Sequence, residues 1–352
     1  MLGDIEYFPG RFVQNKIPDC GGSQLSMSGP AVSGKEGAMP PAEPTLGTLA
    51  NPVLRYFLAT RPAFLSVTMV ACLAGLGTAY HDGMALDAAK AAATLIFALL
   101  AHAGINVLND YYDELNGTDR INTDRVFPFT GGSRFIQNGV LSLRETLAYG
   151  AGLLGIVMIA GLWLTSMSAP GLIWIGAAGL FIGWAYSAPP LALNSRGVGE
   201  LCVAIGFGLI VVGTDFVQRG GFAPLPAIAA VSYGLLVTNI LYINQFPDRR
   251  ADEAAGKRHW VVILGARRAR WGYAVIGVGA YGFLLWAVGA GWLPRVALIA
   301  LGSAAMTGIA ARDLIRHAGE LPRLVPAIKL TIGAATLHGL LLAAALFVAE
   351  RV

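Results

Sequence analysis

From residue 62 onward the chain alternates between long apolar runs and short polar breaks. A run of about 20 apolar residues crosses the hydrocarbon core of a bilayer as a helix. A helix is the favoured form there because it satisfies every backbone group within one segment. Nine runs meet that length, near residues 62–80, 88–108, 146–165, 170–187, 200–217, 226–246, 271–291, 295–311 and 326–348. The pattern predicts an all-α, polytopic membrane protein with nine transmembrane helices. Only Ser166 to Ala169 separate the third run from the fourth, which predicts a tight hairpin, and Pro170 suits the first turn of a helix.

Residues 1–50 follow no such pattern. They hold six Pro and eight Gly, a composition that buries too little apolar surface to order itself. Residues 14–48 read as flexible, and residues 1–50 as a flexible cytoplasmic extension before a nine-helix domain at 51–352. The extension lacks the apolar core of a signal peptide. Ile5, Tyr7, Phe8, Phe12 and Val13 form a small apolar group near its start, read as part of a loose tail or as a docking patch.

Composition agrees. Hydrophobic residues make up 55% of the 352 and charged residues 13%, half the roughly 25% of a soluble domain, and the mean hydropathy is +0.60. A soluble enzyme and a disordered chain are both excluded. Three cysteines, Cys20, Cys72 and Cys202, cannot all pair, which excludes a disulfide scaffold. The 45 glycines suit close helix–helix approach in lipid.

The few charges are sorted by loop. Lys and Arg gather after the second, fourth, sixth and eighth runs, whereas the loops after the first, third, fifth and seventh offer only Arg219 and Arg295. The positive-inside rule then places the N-terminus and the basic loops in the cytoplasm. Eight of the 21 acidic residues share two of those basic loops: Asp110, Asp113, Glu114, Asp119 and Asp124 after the second run, Asp248, Asp252 and Glu253 after the sixth.

Asn106, Asn109, Asp110 and Asp113 fall within an arc of about 100° on one helix face. Asp248 and Asp252, four apart, also share a face, and Pro247 predicts a helix break between Asn244 and Asp248. Asn106-x3-Asp110 and Asn244-x3-Asp248 are the same spacing, 138 residues apart, which suggests a four-helix pseudo-repeat. Oxygen-rich faces suit hard cations. Two facing carboxylate clusters repel unless cations lie between them, and Mg2+ takes one or two carboxylates together with substrate phosphates. An apolar chain carrying a diphosphate, bridged by Mg2+ to both clusters and met by neighbouring Lys and Arg, fits that chemistry. Loss of the neutralised diphosphate leaves an allylic cation for an electron-rich acceptor.

These residues resemble the UbiA superfamily of intramembrane aromatic prenyltransferases, over about residues 50–350. The motifs are Asn109-Asp110-x2-Asp113, Gly117-Thr-Asp119, Asp248-x3-Asp252 followed by Gly256-Lys257-Arg258, Arg61-Pro62, Thr130-Gly-Gly-Ser133 with Gln137 and Gly139, and Tyr186-Ser-Ala-Pro-Pro190. Where the superfamily carries a third Asp this chain has Gly117, with Asp119 two residues on. That shift resembles the branch that prenylates 1,4-dihydroxy-2-naphthoate for menaquinone. The resemblance implies a bacterial inner-membrane enzyme whose site faces the cytoplasm. Asp215 stands where that branch is expected to carry an aromatic residue, which bears on the acceptor.

The roles implied are Asp110, Asp113, Asp119, Asp248 and Asp252 as metal ligands, the first two and last two being catalytic. Asn106, Asn109 and Asn244 bind metal-held water or phosphate oxygen, or simply bond between helices. Lys257, Arg258, Arg125 and Arg134 hold the diphosphate, or serve as topology residues. Arg61 pairs with an anion or snorkels to the interface. Tyr112 and Tyr186 line the cation's path or belong to the interfacial belt. Asp215 and Glu200 serve the acceptor or cap and pack; His102 and His338 make polar contacts inside apolar helices. The partners are a prenyl diphosphate, an aromatic acceptor and the lipid bilayer, and no nucleic acid. Alternatives are an enzyme that prenylates 4-hydroxybenzoate or another aromatic or lipid acceptor, and, from another class, a secondary transporter, whose inverted repeats and midplane charges are not the pattern seen.

Overall fold

The computed structural model describes residues 42–350. Cys20, the apolar group Ile5–Val13 and most of the extension lie outside those residues. Among the described residues the secondary structure is entirely helical. A short helix, α1 (Pro52–Ala59), is N-capped by the Asn51 side chain, which accepts from the Val53 and Leu54 amides. Then come α2 (Pro62–His81), α3 (Ala88–Leu115), the single turn α4 (Thr118–Ile121), α5 (Leu143–Met167), α6 (Leu172–Ser187) and α7 (Gly199–Arg219). The remainder is α8 (Pro224–Ala254), the short α9 (Trp260–Leu264), α10 (Ala266–Gly289), α11 (Ala304–His317) entered through a 3-10 stretch from Arg295, and α12 (Val325–Val348).

All nine apolar runs are helical. Eight are long and apolar enough to cross a membrane, counting α11 with its 3-10 lead-in and α12 with the turn before it; the ninth, α6, has 16 residues. At 1.5 Å per residue α6 spans about 24 Å, short of the roughly 30 Å hydrocarbon core. The protein is an integral membrane protein.

Several boundaries depart from the apolar pattern, for one reason. The helices carrying the acids outlast their apolar stretches. α3 continues to Leu115 with Asp110 and Asp113 still inside it. α8 continues through Pro247 to Ala254, so the expected break between Asn244 and Asp248 is absent. Proline removes one amide donor from the ladder, and this turn of the helix is buried at Phe246, Ala251 and Asp252, so packing outweighs the missing bond.

α2, α7, α8 and α12 form the middle of the molecule. Val67, Val70, Ala71, Val211, Tyr233 and Leu236 are buried together there. Small residues set the spacing: a Cβ on Gly75 of α2 would meet the Thr214 Cβ of α7 at 2.8 Å. The end of the extension is also packed. Leu49 is buried with Ala59, Phe135, Val140 and Leu141, so the flexible segment read as ending at residue 48–50 gives way to a docked one earlier.

Candidate active site

The acids read from the sequence converge at one end of a cavity of about 630 Å³. α3 brings Asn106, Asn109 and Asp113; α4 brings Asp119; α8 brings Asn244, Asp248 and Asp252; Arg61, Tyr186 and Lys257 complete that end. The rest of the lining is apolar, with Phe64, Phe97, Ile105, Leu180, Phe207 and Ile210 among it. Along α3 the lining runs from Asp113 back to Thr94, roughly 28 Å at 1.5 Å per residue. A polar head and a long apolar body share one space.

Four of the carboxylates, Asp110, Asp113, Asp248 and Asp252, are held by partners. Lys257 Nζ lies 2.7 Å from Asp113 Oδ1 and 3.3 Å from Asp252 Oδ1, tying α3 to α8. Asn109 donates to Asp113 at 3.1 Å and to Ser187 Oγ at 3.0 Å. His259 Nε2 is 3.0 Å from Asp252 Oδ2. Asn122 Nδ2 donates to Asp248 at 2.6 Å, and the Gly131 amide donates to the same carboxylate at 3.3 Å. Asp110 stands behind this group, paired with the Arg61 guanidinium and accepting from the Ser133 amide at 3.3 Å.

Local backbone explains the placement. Arg61 turns from α1 into α2 with φ +56°, and that turn delivers its side chain to Asp110. The strap after α4 bends at Gly131 (φ +74°) and Gly132 (φ +73°). A Cβ on Gly132 would collide with the Asp119 carboxylate and come within 3.1 Å of Asp110 Oδ1. Only glycine lets the strap lie this close to the acids.

The electrostatics follow from burial. Burial, then the Asp113 charge, pushes the Asp119 carboxyl up to about 7, against the pull of Arg61, Lys257 and Arg134. Burial pulls the Lys257 ammonium down, but Asp113 and Asp252 outweigh it and hold its pKa above the ordinary lysine value.

Among the described residues no group of three or more His, Cys, Asp or Glu side chains is already drawn together as a metal site. Lys257, Asn122 and Arg61 occupy the carboxylates instead. The donor set nevertheless fits Mg2+. Asp119 Oδ2, Asn122 Oδ1 and Asn244 Oδ1 are buried with no hydrogen-bond partner. All three are oxygens, the ligands a hard cation takes.

Four residues read as substrate partners are placed elsewhere. Arg125 gives its Nε to Glu43 at 2.6 Å and its Nη1 to the Asn122 carbonyl at 2.6 Å. Arg134 gives its Nη1 to the Asp119 carbonyl at 2.5 Å and lies 3.7 Å from Glu43. Arg258 is exposed. Tyr112 packs edge-on against Tyr111, ring centroids 5.1 Å apart, outside the cavity lining. Asp215 is engaged elsewhere too: Arg219 donates to it at 2.7 and 2.9 Å, Thr78 donates to it at 2.9 Å, and Arg219 also reaches Asp82 at 2.7 Å. These join the far ends of α2 and α7. Glu200 accepts from Gln245 at 2.9 Å. His102 meets Thr68 at 2.7 Å and borders the cavity, and His338 meets Ser232 at 3.1 Å.

Asn122 and His259 escape a reading by motif, and Ser187, inside the Tyr186–Pro190 motif, carries no role in it. Their partners lie on other helices; only their nearness to the motifs, Asn122 after Asp119 and His259 after Lys257, marks them.

A helical membrane bundle with acids at the polar end of an apolar cavity defines an intramembrane enzyme for a substrate with an anionic head and an apolar tail. The chain belongs to the UbiA prenyltransferase family, whose pattern it matches over residues 68–325, and it is a prenyltransferase. It is 33% identical over 233 residues to a 1,4-dihydroxy-2-naphthoate octaprenyltransferase of Mycobacterium tuberculosis, 64% of this chain and 76% of that protein. It is 28% identical over 227 residues to the enzyme of the same name from Escherichia coli, 62% of this chain and 71% of that one. The fold is similar to that of a UbiA homologue from Archaeoglobus fulgidus solved with DMAPP and Mg2+, at a TM-score of 0.56 and 15% identity, covering 82% of this chain and 99% of that one.

Proposed function

We propose that this protein transfers a polyprenyl group from a prenyl diphosphate to 1,4-dihydroxy-2-naphthoate, in menaquinone synthesis. The observation that carries the reading is the convergence of Asp113, Asp119, Asp248 and Asp252 at one end of an apolar cavity. Family membership supports the reaction class, and the naphthoate prenyltransferase relatives support the acceptor.

In this reading Asp113, Asp119, Asp248 and Asp252 hold Mg2+, with Asp110 behind them, and Asn106, Asn109 and Asn244 supply further oxygen. Magnesium, when bound, offsets the charge developing on the leaving diphosphate. Lys257 meets the diphosphate oxygens from the gap between Asp113 and Asp252. Arg61 holds Asp110 in place. Tyr186 presents a ring to the allylic carbon, whose positive charge a ring face stabilises. The apolar lining keeps water from the cation. The prenyl C–O bond breaks with its electron pair leaving on diphosphate. A C–C bond forms at the ring carbon bearing the carboxylate, and CO2 departs, leaving its bonding pair to the ring. That balance needs no external base at this carbon.

In the same reading the chain crosses the bacterial inner membrane nine times, with its N-terminus and this site on the cytoplasmic side; the sorting of the basic loops supports that orientation. The test is mass spectrometry of products from aromatic acceptors crossed with prenyl diphosphates of several lengths, with and without Mg2+. Prenylated, decarboxylated naphthol from dihydroxynaphthoate alone supports the assignment. Product only from 4-hydroxybenzoate would replace it.

A further inference from the structure

Two arginines of the site loop, Arg125 and Arg134, are turned away from the cavity and toward a single acid, Glu43. Glu43 precedes the first helix and lies outside residues 68–325, the part that matches the family. It accepts from Arg125 Nε at 2.6 Å and from Asn138 Nδ2 at 3.1 Å, and Arg134 Nε lies 3.7 Å away. Asn138 also donates to the Pro44 carbonyl at 3.0 Å. Burial raises the Glu43 carboxyl, but the hydrogen bonds and charges of Arg125, Asn138 and Arg134 outweigh it and hold its pKa below the usual carboxylate value. Glu43 is therefore a carboxylate at neutral pH, where both arginines are charged.

The contact continues inward. Arg125 Nη1 donates to the Asn122 carbonyl at 2.6 Å, and the Asn122 side chain donates to Asp248 at 2.6 Å. The Arg125 side chain also packs where a Cβ on Gly131 would sit, and the Gly131 amide is the second donor to Asp248. Arg134 in turn donates to the Asp119 carbonyl. One surface carboxylate is therefore joined, through the two arginines, to the strap segments that fix Asp248 and Asp119. A salt bridge at a free surface contributes little. This one sits beneath the strap, with the Arg134 side chain 7% exposed and the Glu43 side chain 27%.

We propose that Glu43 is a positioning residue of the active site: by holding Arg125 and Arg134 it sets the strap that orients Asp248 and Asp119. The segment from Glu43 to Leu49 is then part of the catalytic unit. The inference rests on the reading of those two acids as metal ligands. Partners that orient metal ligands alter metal affinity by about 10- to 100-fold when removed.

The experiment uses the full chain in detergent, with Glu43→Gln, Glu43→Asp, Arg125→Gln and the double variant Glu43→Gln/Arg125→Gln. The first readout is the rate of tryptic cleavage after Arg125 and Arg134 in metal-free protein, followed by mass spectrometry. Cleavage after Arg120, whose side chain is 74% exposed, serves as the internal control. Glu43→Gln is expected to speed cleavage after Arg125 and Arg134 roughly tenfold while leaving Arg120 unchanged, and Glu43→Asp to restore much of the protection. The second readout is the Mg2+ concentration giving half-maximal diphosphate release. It should rise roughly tenfold in Glu43→Gln, and no further in the double variant than in Arg125→Gln alone. A purely structural loss would lower Tm and leave the Mg2+ requirement where it was. Wild-type cleavage and wild-type Mg2+ response in Glu43→Gln overturn the proposal. If the wild type releases no diphosphate from any prenyl donor, the functional reading fails, while the cleavage contrast still decides whether Glu43 holds the strap.

Discussion

Asp113 and Asp248 illustrate what a single side chain does here. Each belongs to a different long helix, and each is held by a donor from elsewhere: Lys257 on Asp113, Asn122 on Asp248. Asp113→Ala or Asp248→Ala should abolish diphosphate release, measured with radiolabelled prenyl diphosphate, while membrane insertion is retained; turnover near wild type in either would remove that acid from the metal set. Asp119 titrates differently. Its carboxyl is raised to about 7 from 3.8, so between those values the folded chain keeps a proton that the unfolded chain has lost. The contribution of Asp119 to the stability of the metal-free protein is therefore largest in acid and declines as pH rises toward 7. Thermal unfolding at pH 5 and pH 8 should show a smaller loss of Tm for Asp119→Asn than for the wild type. An identical loss in both would refute the shift. The acids were legible in the sequence because helical spacing alone puts them on common faces. The fates of Arg125 and Arg134 were not, because their partner Glu43 lies 82 residues before Arg125, and no local pattern announces such a pairing.

At the scale of elements, apolar length located all nine helical runs but misjudged where two of them end. The polar ends of α3 and α8 stay helical because packing at the site supports them, a tertiary effect that neither hydropathy nor Pro247 discloses. The seam between α2 and α7 is a sharper case. Gly75 sits against Thr214 with no room for a Cβ, and the Asp215–Arg219–Asp82 cluster ties the same two helices together further on. Overpacking of this kind costs about 1–3 kcal/mol. Gly75→Val should lower Tm in detergent by several degrees without changing the Mg2+ requirement of whatever enzyme remains folded. A Tm equal to that of the wild type would mean that the seam yields. The segment before α1 also belongs at this scale. Its Pro and Gly content reads as flexible, yet Leu49 is buried and Glu43 is paired, because a few well-placed contacts anchor a short stretch whatever its average composition.

For the molecule as a whole, the sorting of Lys and Arg gives a directional prediction. Single cysteines at Arg258 and Arg219, in a background lacking Cys20, Cys72 and Cys202, should react with a membrane-impermeant maleimide from opposite sides of sealed vesicles. Labelling of both from one side would break the proposed orientation. Fold class and the general location of the site were legible from the chain because a bilayer imposes length and charge rules on every residue at once. The particular acceptor was not: Asp119 hinted at the naphthoate branch, and Asp215, which departs from that branch, is consumed by Arg219 and Thr78.

Lys257 has a consequence for the order of events. Its ammonium sits between Asp113 and Asp252 and so offsets part of the charge of those two carboxylates. A divalent ion arriving alone competes with that resident charge and gains little. An ion arriving with a diphosphate brings an anion onto which the lysine can transfer its contacts. On the proposed function, loading would be a concerted exchange of counter-ions, with metal and donor each expected to bind weakly without the other. Calorimetry should find Mg2+ affinity low in the wild type alone, raised by a non-reactive diphosphate analogue, and already raised without it in Lys257→Met.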